Sequence, residues 1–156
     1  MKLLWGSCRS DKGTAVKHDS RSTHFRQLET AYPPRSSSAA HMRRTLRAYL
    51  SGQALDANVV YDVVLAAEEA FINAVSHAGV PDDLIHVTAC VSDGEALVEI
   101  QDGGDGFELS RPAAPPVPDV YRVHGRGVFL MESLMDEVSV RSGRKGTTVR
   151  MVRRLA

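Results

Sequence analysis

An α+β domain is predicted for these 156 residues, and three features of the sequence predict it. A stripe of apolar residues at helical spacing runs from about residue 56 to 78. Two segments of strict apolar–polar alternation follow, joined by Asp93-Gly94. A further strand pair is expected over 137–155, turning between Gly143 and Gly146.

Taken in order, residues 1–22 are polar and lack any period, so a flexible tail is expected there and the domain proper over 23–156. His24–Ala31 alternates loosely and runs into Pro33-Pro34, which cannot continue a ladder, so an edge strand is expected. Ser36, Ser37 or Ser38 is positioned to cap a helix carrying Met42, Leu46, Tyr49 and Leu50, with Gly52 just past its end. Arg43, Arg44 and Arg47 are expected on its outer side. The long helix then sets Val60, Val63, Ala67, Ala70, Ala74 and Ala78 on one stripe before Gly79 and Pro81 stop it. In the hairpin, Ile85, Val87, Ala89 and Val91 face the same way as Ala96, Val98 and Ile100, so one face is buried. Asp102-Gly103-Gly104-Asp105-Gly106 follows, and then a stretch over 107–124 holding four of the seven prolines. So long a structureless connection in a compact domain reads as a functional lid. Gly125-Arg126-Gly127 opens a short apolar helix.

Composition narrows the function. The formal net charge is zero, which argues against a nucleic-acid binder. Its distribution is uneven: residues 51–110 hold twelve Asp or Glu and no Lys or Arg, between basic flanks. A polyphosphate bound near this block needs a divalent metal, or donors from elsewhere. Cys8 and Cys90 show no metal-ligand spacing and are expected as ordinary thiols of a reducing compartment. The opening apolar run of three residues is too short for a signal peptide or membrane span, so a cytoplasmic protein is expected. The histidines lack zinc spacing, and no Gly-x-Ser-x-Gly elbow occurs. Lys145 precedes Gly146, the wrong order for a phosphate-binding P-loop.

Four places carry chemistry. Glu69, Asn73 and His77 follow one another at four-residue steps on one helix face, where an amide oxygen and a carboxylate side by side can serve a magnesium ion and a proton acceptor. Taken alone, the trio also fits the polar face of a solvated helix, although its neighbours in AAEEAFINAVSHA are too apolar for one. His77 suits the helix C-terminus as well. Asp102 ends a buried strand, where a shielded carboxylate can accept a hydrogen bond from an exocyclic amine, and the glycines after it bring backbone close to a ligand. Gly125-Arg126-Gly127 offers backbone N–H groups at a helix start to phosphate. Gly146-Thr147 adds a hydroxyl, or a β-bulge.

The order of these boxes, EAFINAVSHA, DGGDG, a proline-rich lid, GRGVFLMESLMDEV and GTTVRM, resembles the ATPase fold shared by gyrase, histidine kinases and certain chaperones. Within it the chain looks like the small anti-sigma-factor serine/threonine kinases, over about residues 24–155. The resemblance implies an α+β two-layer sandwich, a mixed sheet with helices on one face. It makes Glu69 the catalytic base, Asn73 the magnesium ligand and Asp102 the reader of adenine, with Gly104 and Gly106 beside it. Gly125, Arg126 and Gly127 then face the phosphates, and Gly146 and Thr147 form the last box. The implied cofactors are ATP and Mg2+, and the implied partners a sigma factor and an anti-anti-sigma protein bound by a homodimer. A module that binds ATP and sequesters its partner without transferring phosphate is the alternative.

Overall fold

The computed structural model describes residues 27–77, 83–103, 126–143 and 146–156. The elements follow in the order β1 (Leu28–Tyr32), α1 (Ser36–Ser51), α2 (Ala57–His77), β2 (Ile85–Ser92), β3 (Glu95–Gln101), α3 (Arg126–Leu134), β4 (Glu137–Gly143) and β5 (Gly146–Arg154). The α+β class and the single helical layer agree with expectation. The sheet expected as mixed is different: its order is β1-β2-β3-β5-β4, and every described pair is antiparallel. The reason lies in the connections. Two pairs are joined by tight turns, and β3 meets β5 rather than the strand that follows it, so no parallel crossover arises.

The helical stripe and the strand alternation meet in one core. Val63, Ala67, Ala70 and Phe71 of α2 pack over Val87, Val98, Ile100 and Met151 of the sheet, all of them buried. Phe71 anchors the layer edge-on against Tyr32, with ring centroids 5.8 Å apart at 85°. Asp93 and Gly94 both take positive φ, 51° and 77°, which is the two-residue turn that matches strand twist.

Three local expectations are corrected. None of the serines caps α1: Arg35 occupies the N-cap with no side-chain bond, and Ser38 is buried inside the helix. The start is fixed instead by the backbone, Arg35 N–H donating to Pro33 O at 2.8 Å and Ser38 N–H to Arg35 O at 2.9 Å. Arg43 does not project outward with Arg44 and Arg47; it crosses to α2 and pairs with Glu68 at 2.7 Å. Cys90 is disulfide-bonded rather than a free thiol, and its partner sulfur lies outside the described residues. Distance along a chain does not limit disulfide formation; distance in space does. Burial pushes the Tyr49 hydroxyl above its ordinary range, against a smaller lowering by a backbone hydrogen bond with Val91.

Candidate functional site

Glu69 and Asn73 lie one turn apart on α2, so their side chains leave the helix on the same side, and that side meets the start of α3. The approach is close. A β-carbon placed on Gly127 would stand 3.1 Å from Oε2 of Glu69 and 3.3 Å from Nδ2 of Asn73. Gly127 is buried, and a side chain there would press on the ends of both groups, which would have to give by a few tenths of an ångström. The first turn of a helix carries backbone N–H groups with no intrahelical partner, so the place where these two side chains converge also suits an anion. His77 behaves differently: its Nδ1 lies 2.8 Å from the carbonyl oxygen of Asn73, within the last turn of α2.

Beside this junction the sheet contributes a second unit. Asp102, just past β3, is buried, and so is Thr147 near the start of β5. The two residues are tied reciprocally: the Asp102 N–H donates to Thr147 O at 2.9 Å, and the Thr147 N–H donates to the Asp102 side-chain Oδ1 at 3.2 Å. Gly146 makes the approach possible. It sits at φ +105°, and a β-carbon there would overlap the carbonyl oxygen of Asp102. A partner that sequence reasoning missed completes the unit, because Ser142 on β4 places its Oγ 3.0 Å from Oγ1 of Thr147. The signal was present in the hairpin, since pairing Gly143 with Gly146 sets Ser142 opposite Thr147.

The two units share a small cavity. Asn73, Ala70 and Ala74 line it from α2, Val128 and Met131 from α3, and Ile100, Asp102, Val140, Thr147 and Val149 from the sheet. It is a mostly apolar slot whose lining residues include one carboxylate, one amide and one hydroxyl. Its volume of about 20 Å³ has room for a single water. Glu68, the neighbour of Glu69, belongs elsewhere, on the α1 side with Arg43.

The structure thus brings Glu69, Asn73, Asp102, Gly127, Gly146 and Thr147 around one region. Arg126 begins α3. Gly104, Gly106, Gly125 and the lid over 107–124 lie outside the described residues. Among the described residues no helix is long and apolar enough to cross a membrane.

The histidine kinase-like ATPase domain matches residues 32–153. The chain is 30% identical over 132 residues to an anti-sigma F factor of Clostridium botulinum strain Alaska E43, covering 80% of this chain and 92% of that protein. It is 29% identical over 136 residues to the serine-protein kinase RsbW of Staphylococcus aureus strain JH9, covering 81% and 85%. In three dimensions it resembles the structure of the RsbU and RsbW domains of a Mycobacterium tuberculosis protein, with TM-score 0.65 and 25% identity over 83% of this chain and 32% of that one. The chain therefore belongs to the histidine kinase-like ATPase domain family, within its branch of anti-sigma-factor serine/threonine kinases.

Proposed function

We propose that this protein is an ATP-dependent protein serine/threonine kinase of the anti-sigma-factor type, phosphorylating an anti-anti-sigma protein and sequestering a sigma factor as a cytoplasmic homodimer. The observation that carries the reading is the convergence of Glu69 and Asn73 on Gly127, beside a slot lined in part by Asp102. A buried carboxylate among apolar side chains has the chemistry to read a purine base lying at the mouth of the slot, and a helix N-terminus next to it suits the phosphates. The residues present therefore fit ATP. Among the described residues no three His, Cys, Asp or Glu side chains gather as a metal cage. A magnesium ion here would take Asn73 as a protein ligand and its other oxygens from phosphates and water, the habit of this ion. When bound, it would neutralise charge on the transferring phosphoryl group.

Each residue then has a task. Asp102 receives the exocyclic amine and Thr147 holds Asp102 in place; Gly127 keeps the α3 backbone within reach of the phosphates. Glu69 accepts the proton of the attacking hydroxyl, a role that needs a carboxylate beside the phosphate end and not beside the base. Glu68, paired with Arg43, is occupied on the other side of α2. Positioning and charge neutralisation do most of the work in such a transfer.

The deciding experiment is incubation of the purified chain with γ-labelled ATP, magnesium and the candidate anti-anti-sigma protein. Label on a partner serine or threonine is the expected result. If ATP binds and the sigma factor is held but no label ever moves, the protein is a sequestering module and not a kinase.

A further inference from the structure

We propose that residues 1–26 dock on the face of the sheet turned away from the helices, held there by a disulfide between Cys8 and Cys90, so that thiol oxidation covers this face and reduction uncovers it. The face lies across the sheet from the slot, and its occupant does not depend on what the slot binds.

Cys90 is disulfide-bonded, and the sequence holds only one other cysteine, Cys8. The place of Cys90 in the sheet shows what the bond brings with it. Cys90, Leu97 and Val152 stand directly opposite one another on β2, β3 and β5 and so form one apolar row. Ala89, Val98 and Met151, their chain neighbours, belong to the helix-facing core, and strand alternation turns the row the other way. Cys90 and Val152 are nevertheless only 5% exposed each. Among the described residues the five strands form one sheet and the helices pack on its other face, so cover for the row comes from outside them.

Reach and charge name the occupant. Leu28 pairs with Ala89, so the chain enters the sheet beside Cys90, and Cys8 stands 20 residues earlier. That stretch spans about 65 Å when extended, far more than the return needs. A disulfide holds its two α-carbons within about 7 Å, which lays the residues around Cys8 on the row. Val152 is two strands from Cys90, about 10 Å, and three extended residues cover that distance. Trp5 stands three residues before Cys8, with Leu3 and Leu4 next to it. On β1, β2 and β3 the same face carries Glu29, Glu95 and Glu99 and no Lys or Arg, whereas residues 1–26 hold six Lys or Arg against two Asp. In a reducing compartment such a bond is transient. As it forms, the two thiols give up two protons and two electrons, and a low-molecular-weight disulfide takes them up to become two thiols; excess thiol runs the exchange backward.

Trp5 is the single tryptophan of the chain and reports the docking directly. The full chain is oxidised with glutathione disulfide or reduced with dithiothreitol, and Trp5 emission and its quenching by acrylamide are measured in both. Oxidation should move the emission to shorter wavelength and lower the quenching constant; reduction, or Cys8→Ser under oxidant, should reverse both changes. Peptide mapping without reductant should find Cys8 linked to Cys90 in a chain that runs as a monomer on a denaturing gel. Leu97→Glu puts a charge in the middle of the row, so it should keep the bond and expose Trp5; should it not fold, Leu97→Ser carries the same expectation. Four results overturn the proposal. Two free thiols after oxidation mean that the bond does not form, and a linked dimer means that a second copy supplies the other sulfur. Equal quenching of Trp5 in the oxidised and reduced chains means that the bond does not control docking. A shielded Trp5 in the oxidised Leu97 variant places the segment elsewhere.

Discussion

Oε2 of Glu69 reaches to within 3.1 Å of where a β-carbon on Gly127 would be, so α2 and α3 touch through a carboxylate and a bare stretch of backbone. Asn73 closes the other side of the same spot, 3.3 Å away. The contact is polar, and it sits at the end of an otherwise apolar helix pair, where Val128 and Met131 line the cavity with Ala70 and Ala74. Stability alone asks for nothing polar here.

Gly127→Ala follows directly. The atoms that an added methyl meets are ends of flexible side chains, and alanine is a better helix former than glycine by up to about 1 kcal/mol. The melting temperature should therefore hold or rise. If Glu69 and Asn73 have the roles proposed, phosphate transfer should fall by about tenfold or more, because both side-chain ends would be displaced by a few tenths of an ångström. Melting curves and transfer rates on one preparation check this, and a variant as active as wild type would remove Gly127 from the site.

Glu69 and Glu68 are neighbours with opposite fates. Glu69→Gln should lower transfer by about a hundredfold or more, the scale of a lost general base, with ATP affinity retained. Glu68→Gln should leave transfer unchanged. It removes only the ion pair with Arg43, whose side chains are 43% and 18% exposed, at a cost of about 1 kcal/mol or less. Equal losses of transfer in both variants would show that the base assignment on α2 is wrong.

How much of this was legible follows from the range of each signal. Period-based elements read well: the stripe from Val60 to Ala74 gave α2, and Asp93-Gly94 gave the turn between β2 and β3. Glu69 and Asn73 were legible because four-residue spacing alone puts them on one face. What failed needed geometry between elements. Arg43 could be read as outward only while the crossing of α1 over α2 was unknown. Three consecutive serines suggested a cap, but the turn at Pro33 starts the helix at Arg35. Cys90 gave no hint of its bond, and Ser142 was visible only once β4 and β5 were put in register.

Gly146 tests the sheet side. At φ +105° any side chain is strained, and its β-carbon would overlap the Asp102 carbonyl oxygen. Gly146→Ala should cost about 2 kcal/mol or more, and the reciprocal Asp102–Thr147 bonds should loosen with it. Denaturant unfolding measures the loss. A change under about 0.5 kcal/mol, the range of an ordinary surface substitution, would mean that the turn relaxes freely.

Alkaline pH probes the opposite end of the core. Burial raises the Tyr49 hydroxyl above its usual value of 10.0, so the folded state keeps the proton that the unfolded chain gives up. Its contribution is therefore fully present below the unfolded value and declines as pH rises past it toward the folded one. Tyr49→Phe should flatten the fall of stability above about pH 10. Parallel slopes for the two proteins would show that the hydroxyl reaches water.

Magnesium gives the last test, and it separates Asn73 from Glu69. Residues 51–110 contain no Lys or Arg, so the described walls of the cavity bring few positive charges to a triphosphate. On the proposed function a divalent ion would supply much of that charge, and Asn73 would hold it together with phosphate oxygens and water. Two consequences distinguish this from a general-base effect. ATP affinity in wild type should drop by about tenfold or more when the ion is chelated, whereas a base acts on the rate and not on binding. Asn73→Ala should already show the weakened affinity with magnesium present and should respond little to chelation. Glu69→Gln should respond to chelation as wild type does. Calorimetric titrations of the three proteins, each with magnesium and with a chelator, supply the six affinities needed. If Asn73→Ala keeps the full magnesium dependence of wild type, the ion is held by other groups and Asn73 belongs to the packing between α2 and α3.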